Sequence, residues 1–344
     1  MRERTKQIRE FILENVESHP KDIAAVTAKK FDISRQAVNK HLNTLTEEDI
    51  ILAKGNRNKR EYFDIYYLSF IKRYDLDGLD ESIVFVNDVA PVFVNFPKNT
   101  LDIIEYVFTE IVNNAIDHSE GDELWVQFYE SHTRFVMYIY DNGVGIFKKI
   151  MNALQLPDEK LAILELAKGK FTTDPENHSG EGIFFSAKAS DKFEIISNSN
   201  HFMHDLSSKY EDMLKDTDSK AGTQIIFEIK KKTRTTLKEI FDKYSDDEYG
   251  FTKTVVNVEL LRIGNENLIS RSQAKRLIAR FEKFKHIELD FSNVDFIGQA
   301  FADEVFRVFQ RKYPEIVLEP VNTTEDVDKM IKRARAKLKE MEQN

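Results

Sequence analysis

The pattern of apolar and polar positions in the first 64 residues predicts three helices followed by two strands. Apolar side chains recur at helical spacing up to residue 16, and Pro20 helps to end this first helix. A second helix is predicted over 22–31, and Ser34 is a suitable N-cap for a third. Two short apolar runs then flank a polar turn and predict paired strands. The apolar residues of the first helix are Ile8, Phe11, Ile12 and Val16.

Polar and basic side chains mark the outer face of the third predicted helix and the turn between the two strands. Such side chains suit the base edges and phosphates of a DNA major groove. The run 33–42 resembles the recognition helix of bacterial winged-helix regulators, and the hairpin resembles their wing. This resemblance implies double-stranded DNA as a partner; the alternatives are a solvated helical unit and a protein-contact module. The residues expected at DNA are Arg35, Gln36, Asn39, Lys40, Arg57, Lys59 and Arg60.

A second pattern, over residues 108–118, places polar side chains along one side of a predicted helix. Glu110, Asn114 and Asp117 are spaced four and three apart, so they share one helical face. Ile111 and Ala115 turn toward the core instead. One face of this helix is therefore polar and acidic.

Two glycine-bearing motifs follow this helix. The first, over 138–146, is a predicted strand that ends at Asp141 and enters a turn with Gly143 and Gly145. Glycine lets the backbone approach a planar ligand, and a buried carboxylate can accept a hydrogen bond from an adenine amino group. The second, over 178–187, opens a helix whose first backbone amides can hold phosphate oxygens. Its glycines are Gly180 and Gly182.

Together, the three motifs resemble the N, G1 and G2 boxes of the GHKL superfamily, which includes gyrase, Hsp90, MutL, sensor histidine kinases and anti-sigma-factor kinases. The run 221–227 is similar to a late strand of that fold, with Thr223 beside the adenine-binding carboxylate. The resemblance implies ATP and magnesium as cofactors, and Glu110 as the residue that orients the attacking water. It implies Asn114 as the magnesium ligand and Asp141 as the adenine acceptor. The other implied site residues are Asp117, Gly143 and Gly145 at the adenine pocket and Gly180 and Gly182 at the phosphates.

The resemblance also implies a mobile lid over the nucleotide, at about residues 147–179. The run 169–173 resembles the Phe-bearing lid motif of histidine kinases. Lys168 or Lys170 is a candidate phosphate contact, with a solvated lid surface as the alternative. The sequence has neither a Walker A pattern nor a protein-kinase signature set, so a P-loop is not the source of nucleotide binding.

Strand and helix patterns alternate from residue 252 onward and predict a small α/β layer domain. The run 287–301 is similar to the strand–turn–helix of STAS domains, including anti-anti-sigma factors. In those factors the helix start carries a phosphorylatable serine, whereas Gly298, Gln299 and Ala300 offer no hydroxyl. We therefore expect a docking or dimerisation module rather than a phosphorylation site.

Composition fits a chain of several globular units. Its 344 residues are 41% hydrophobic and 32% charged, and the net charge is −9. The first 64 residues are mildly basic, with 13 Lys or Arg against 11 Asp or Glu, so only one part of the chain suits a polyanion. The predicted fold class is multidomain α+β: a winged helix over 1–66, a GHKL α/β sandwich over 80–230 and a STAS-like α/β domain over 252–340.

Two absences in the sequence exclude other classes. There is no cysteine, which excludes disulfides, thiol catalysis and zinc–thiolate sites. No apolar run has the length of a membrane span, and the first residues lack a signal-peptide pattern. We therefore expect a cytoplasmic protein with no membrane partner.

These observations favour an ATP-binding, ATP-hydrolysing DNA-binding transcriptional regulator, whose lid closes on the nucleotide and repositions the winged helix. Two alternatives stay open: a GHKL-type protein kinase, of the histidine or anti-sigma serine type, and a DNA-tethered ATPase outside transcription. Against the kinases, residues 64–100 lack a long paired-helix pattern with an acceptor histidine, and the STAS-like helix start carries Ala300. A protein partner at the STAS-like domain and a homodimer are further expectations.

Overall fold

The computed structural model describes residues 3–56, 59–172, 179–206, 212–216, 221–246, 250–262 and 266–342. Within these ranges the strands form a two-stranded, a seven-stranded and a three-stranded sheet. The chain is a mixed α/β structure, consistent with a multidomain α+β protein.

The N-terminal part is three helices followed by a two-stranded antiparallel ribbon. Ser34 caps the third helix, as expected, because its side chain accepts a hydrogen bond from the backbone N–H of Ala37 at 3.2 Å. The buried apolar residues here form a core of their own. The elements are α1 (Glu3–Asn15), α2 (Ile23–Phe31), α3 (Arg35–Glu47), β1 (Ile51–Lys54) and β2 (Glu61–Asp64).

A seven-stranded antiparallel sheet forms the centre of the molecule, in the order β3-β4-β5-β9-β6-β7-β8. Its first strand precedes residue 80, where the sequence analysis began this domain, and it pairs with β4 along one edge of the sheet. The strands are β3 (Tyr67–Asp75), β4 (Glu123–Glu130), β5 (Arg134–Asp141), β6 (Lys192–Ser197), β7 (Asn200–Asp205), β8 (Asp212–Asp216) and β9 (Thr223–Lys230).

Helices around this sheet supply the rest of the central core. The longest of them buries one apolar stripe, including Ile104, Phe108 and Ile111, and keeps its polar stripe toward a cavity. The segment after the last strand of this sheet contains a helix that buries Ile240. The helices are α4 (Glu81–Val84), continued by a π turn and a 3₁₀ turn to residue 93, α5 (Lys98–His118), α6 (Ile146–Leu154), α7 (Glu159–Lys168), α8 (Gly182–Ala189) and α9 (Leu237–Tyr244).

The C-terminal part is a three-stranded parallel sheet with helices, which agrees with the predicted α/β layer. Its apolar core is continuous with that of the central part. At the contact, the Phe251 ring lies 4.6 Å from that of Phe184 and 5.5 Å from that of Phe284, centroid to centroid. The elements are β10 (Lys253–Asn257), α10 (Arg271–Ile278), β11 (His286–Asp290), α11 (Gln299–Asp303), α12 (Gln310–Lys312), β12 (Val317–Val321) and α13 (Glu325–Glu342).

Candidate functional site

A cavity of about 290 Å³ lies between α5, the ends of β5 and β9, and the start of α8. Its walls are partly apolar, with Ile139, Ile150 and Ile225 among them, and partly polar. Such a mixture is typical of sites that hold a small planar ligand with a polar end. The predicted site residues that line it are Glu110, Asn114, Asp141, Gly145, Gly180, Gly182 and Thr223.

Asp141 is the buried carboxylate of this cavity. Its Oδ1 accepts hydrogen bonds from the backbone N–H of Gly143 at 2.9 Å and of Thr223 at 3.3 Å. Burial raises the pKa of Asp141, while these hydrogen bonds act in the opposite direction because they favour the ionised form. The sheet register explains the geometry, since Asp141 and Thr223 are directly opposed on β5 and β9. The carboxylate is therefore held in a fixed position.

The turn after Asp141 is fixed by close backbone contacts. A Cβ on Gly143 would overlap the backbone of Ser119, and Gly145 has φ +90°, which disfavours other residues. The Thr223 hydroxyl accepts a hydrogen bond from the N–H of Ile146, the first residue of α6, at 3.0 Å. Thr223 thus ties the turn to β9.

Glu110 and Asn114 lie one turn apart on α5 and face the start of α8. The Asn114 side-chain N–H donates to the backbone carbonyl of Glu110 at 2.6 Å. A Cβ on Gly182 would overlap the Glu110 carboxylate, so any residue larger than glycine at that position would displace this carboxylate. Gly182 therefore has a role that the glycine motif by itself does not indicate: it leaves space for the Glu110 carboxylate.

Two predicted site residues lie apart from the cavity wall. Asp117 is exposed at the last turn of α5, and Gly143 is buried behind the turn; neither is among the residues that line the cavity. A residue that the motifs did not indicate, Lys149 on α6, does line it. Lys149 donates to the backbone carbonyl of His118 at 2.6 Å and pairs with Glu120 at 3.1 Å. No motif marks this lysine, because its place depends on how α6 packs.

The predicted lid contains two helices, α6 and α7, followed by the segment that carries Phe171 and Thr172. Both of these residues line the cavity, and the N–H of Phe171 donates to the carbonyl of Gly180 at 3.2 Å. This hydrogen bond joins the end of the lid to the glycine motif before α8. Thr173 and His178, which the sequence analysis also placed in motifs, lie outside the described residues.

Neither of the two alternatives for Lys168, a phosphate contact or a solvated lid surface, fits the structure. The Lys168 side chain is fully buried, and its Nζ pairs with Glu165 at 2.6 Å and donates to the carbonyls of Arg276 and Ala279 in the C-terminal part, each at 3.0 Å. Burial lowers the pKa of Lys168 to about 8, although the Glu165 carboxylate opposes the shift. Lys170 also turns to the C-terminal part, where it donates to the Lys283 carbonyl at 3.0 Å.

These contacts belong to what we call the C-terminal junction, where the lid meets the C-terminal part. No sequence motif indicates Arg280, whose guanidinium binds two residues of the lid there. The signal was absent because the partners are more than 100 residues apart in the chain. The junction is formed by Glu165, Lys168, Gly169, Phe171 and Arg280.

The residues predicted at DNA are exposed wherever the structure describes them. Four of them project from α3, and the other two precede β2. Arg60 lies near α3, where it donates to the Asn43 side chain at 3.4 Å. Arg57 lies outside the described residues. The exposed six are Arg35, Gln36, Asn39, Lys40, Lys59 and Arg60.

Magnesium, implied by the family resemblance, fits the donors in the cavity. Among the described residues no group of three or more His, Cys, Asp or Glu could hold a metal ion. Magnesium in nucleotide sites keeps water and phosphate ligands, so one or two protein oxygens are sufficient. The carboxamide oxygen of Asn114 is suited to this, because the nitrogen of the same group already donates to Glu110.

Comparison with protein families identifies two domains. Residues 99–233 match the family of histidine kinase-, DNA gyrase B-, and HSP90-like ATPases. Residues 273–328 match a STAS-like domain of unknown function (DUF4325). No curated protein matches the sequence. Across the described residues, no helix combines the length and the apolar character of a membrane span. The chain therefore contains a GHKL-type ATPase domain, which supports ATP binding, and a STAS-like domain.

Proposed function

We propose that the chain binds ATP with magnesium in the cavity and hydrolyses it, and that nucleotide state controls a DNA-binding N-terminal domain. One observation supports the ATP part of the proposal: three features line the same cavity. They are the buried carboxylate of Asp141, the polar face of α5 and the start of α8 at Gly182. These are the parts needed for adenine, metal and phosphates, respectively.

Each part has a distinct chemical task. Asp141 accepts a hydrogen bond from the adenine amino group, because its position is fixed by two backbone donors. The backbone amides at the start of α8 hold phosphate oxygens. Glu110 lies against this helix start and accepts the proton of the attacking water. Magnesium, held through Asn114, neutralises charge on the phosphates when bound.

The DNA part rests on the N-terminal domain. Its third helix presents Arg35, Gln36 and Asn39 to solvent. Lys59 and Arg60 are exposed just before β2, and Arg60 contacts this helix at Asn43. Contacts from lysine and arginine to phosphates give salt-dependent affinity, while the helix residues read base edges. This arrangement supports double-stranded DNA as the partner of the N-terminal domain.

An ATPase fits the chain better than a protein kinase. Residues 64–100 contain β3 and short helical turns, not a long helix with an acceptor histidine. The start of α11 carries Gly298, Gln299 and Ala300, so a serine acceptor is missing at that point. A DNA-tethered ATPase outside transcription differs from the proposed regulator only in lacking sequence preference.

The ATP proposal can be tested with terminally radiolabelled ATP and magnesium. We expect free phosphate from the wild type, little from Glu110→Gln or Asn114→Ala, and no label on the protein. Lys148→Ala is the matched control, because this α6 lysine is exposed and does not line the cavity. Stable label on the protein would instead support a kinase, and equal rates in all variants would contradict the assigned roles.

The DNA proposal can be tested by selecting sequences from a random duplex pool with and without a nonhydrolysable ATP analogue. We expect an enriched sequence whose recovery depends on nucleotide and is lost in Arg35→Ala. Lys30→Ala, on the exposed surface of α2, is the control. Binding without enrichment would favour the DNA-tethered ATPase, and no binding in either state would contradict the proposal.

A further inference from the structure

The lid of the nucleotide cavity is held by the C-terminal domain through buried charges. At the C-terminal junction, Lys168 has no exposed side-chain surface, and the side chains of Glu165 and Arg280 are 6% and 13% exposed. The hydroxyl of Thr254, on β10, donates to the Lys168 backbone carbonyl at 2.8 Å. Buried charges require paired, hydrogen-bonded partners, so this contact has one preferred geometry.

Arg280 connects this cluster to the end of the lid. One of its terminal nitrogens donates to the Glu165 carboxylate at 2.8 Å, and the other donates to the Gly169 backbone carbonyl at 2.7 Å. Its guanidinium carbon also lies 5.2 Å from the centre of the Phe171 ring, within range of a cation–π interaction. A single side chain of the C-terminal domain therefore contacts three successive points of the lid.

Arg280 is held in place by its own backbone as well as by these contacts. Its φ is +67°, in the left-handed region that non-glycine residues rarely adopt. Such a conformation persists where surrounding contacts over-determine it. The junction supplies those contacts, since Arg280 follows directly on Ala279, whose carbonyl accepts from Lys168.

Phe171 carries the contact into the cavity. Its side chain meets Arg280 on one side, and the residue lines the cavity on the other. Its N–H also donates to Gly180, the residue expected beside the phosphates. A change at Arg280 is thus two contacts away from the phosphate end of the nucleotide site.

We propose that Arg280 is a positioning residue of the nucleotide site. By holding Gly169 and Phe171 it keeps this part of the lid beside Gly180, the residue expected at the phosphates, so that ATP binding and docking of the C-terminal domain stabilise each other. This proposal rests on the proposed ATP site. The coupling is reciprocal, because two events that favour the same position of Gly169 and Phe171 must strengthen each other equally. It concerns the phosphate end, so adenosine, which has no phosphate, should not respond to it.

The test compares three variants in the full chain. Arg280→Ala removes all three contacts. Arg280→Lys keeps a positive charge beside Glu165 but loses the planar guanidinium that donates to Glu165 and Gly169 together. Arg307→Ala is the matched control: this arginine also binds a carboxylate with two nitrogens, Asp303 at 2.5 and 2.6 Å, but contacts no residue of the junction. Calorimetry measures the affinity for a magnesium–ATP analogue and for adenosine, and deuterium exchange reports on 165–172 without nucleotide.

We expect Arg280→Ala to weaken binding of the ATP analogue by about tenfold or more and to leave adenosine binding within about twofold. Arg280→Lys should weaken the analogue by a smaller factor, which keeps the test valid if the alanine variant folds poorly. Exchange over 165–172 should rise in both variants and stay at the wild-type level in Arg307→Ala.

Two results would overturn the inference alone. One is an Arg280→Ala protein with unchanged exchange over 165–172 and unchanged affinities. The other is an equal loss for the analogue and for adenosine, which indicates a general structural defect rather than positioning of the lid. A wild type that binds neither ligand would overturn the proposed function, and the nucleotide coupling with it; the titration of the wild type therefore separates the two failures.

Discussion

The two flanking domains meet the ATPase domain in very different ways. On the C-terminal side, the buried ion cluster of the C-terminal junction and a separate aromatic cluster around Phe251 join the domains, and their apolar cores are continuous. The N-terminal domain keeps a separate core and meets the turn between β4 and β5 through hydrogen bonds. We call this second contact the N-terminal junction; it is formed by Leu13, Asp64, Ser131 and Thr133.

The junctions also differ in their distance from the nucleotide. The C-terminal junction includes Phe171, which lines the cavity. The N-terminal junction lies beyond Arg134, the first residue of β5, whereas Asp141 is the last. Seven residues at about 3.3 Å each place these ends roughly 23 Å apart. The cavity therefore adjoins the C-terminal junction directly, whereas the length of β5 separates it from the N-terminal junction.

The largest expected effect comes from breaking the apolar contact at the C-terminal side. Phe251→Ala removes a ring that packs on Phe184, Phe185 and Phe284 and should lower the free energy of unfolding by about 3–5 kcal/mol. Because the two cores are continuous, urea unfolding followed by tryptophan fluorescence and by ATP-analogue binding should shift together. The control is Leu42→Ala in the N-terminal core, which should leave analogue binding intact. A Phe251→Ala protein with wild-type stability would contradict the shared core.

Titration of Asp64 at the N-terminal junction should make the stability of the protein depend on pH. Asp64 is buried, its Oδ2 accepts from Ser131 at 2.8 Å, and burial raises its pKa to about 6. The folded state then binds more protons than the unfolded state between about pH 4 and 6, so stability falls as pH rises through this window. The ionised carboxylate should cost up to about 3 kcal/mol at neutral pH.

Asp64→Asn removes this titration and keeps an oxygen that can accept from Ser131. We expect the wild type to lose stability relative to Asp64→Asn as the pH rises from about 4 to about 7. Urea unfolding at several pH values measures it. A constant difference across this range would show that Asp64 does not titrate as its burial predicts.

A substitution at the cavity should reduce ATP hydrolysis without disturbing either junction. Gly182→Ala adds a methyl group where the Glu110 carboxylate lies, and it contacts neither junction. We expect ATP hydrolysis to fall by about tenfold to a hundredfold, which corresponds to about 1.4–2.7 kcal/mol in activation free energy. Exchange over 165–172 should remain unchanged without nucleotide. Phosphate release from Gly182→Ala at the wild-type rate would show that the position of Glu110 is not critical.

The smallest effect should come from a single hydrogen bond of the N-terminal junction. Thr133 donates through its hydroxyl to the Leu13 carbonyl or the Asp64 carboxylate, each at 3.4 Å. Thr133→Val removes this donor with little change in shape and should cost about 1 kcal/mol. Affinity for the ATP analogue should not change, which calorimetry can check. If Thr133→Val lost as much affinity for the ATP analogue as Arg280→Ala, the two junctions would affect nucleotide binding equally.

Local patterns in the sequence determined much of the candidate site. The periodicity of α5 puts Glu110 and Asn114 on one face, Ser34 caps α3, and the Asp141 turn follows a strand, all within a few residues of chain. These features depend on helical and strand geometry, which acts over short distances. The family resemblance then assigned roles that residue spacing alone could not.

Tertiary structure decided how the domains meet. Lys170 lies in the lid motif and Lys168 directly before it, yet both turn away from the cavity, because the C-terminal domain covers that side of the lid. Arg280 lies in no motif and gains its importance from partners 111 and 115 residues away. No local pattern encodes such a contact, since it depends on which surfaces the folded domains bring together. The sequence by itself therefore indicated polar and glycine residues that line the cavity, and the packing of domains determined which surfaces contact its lid.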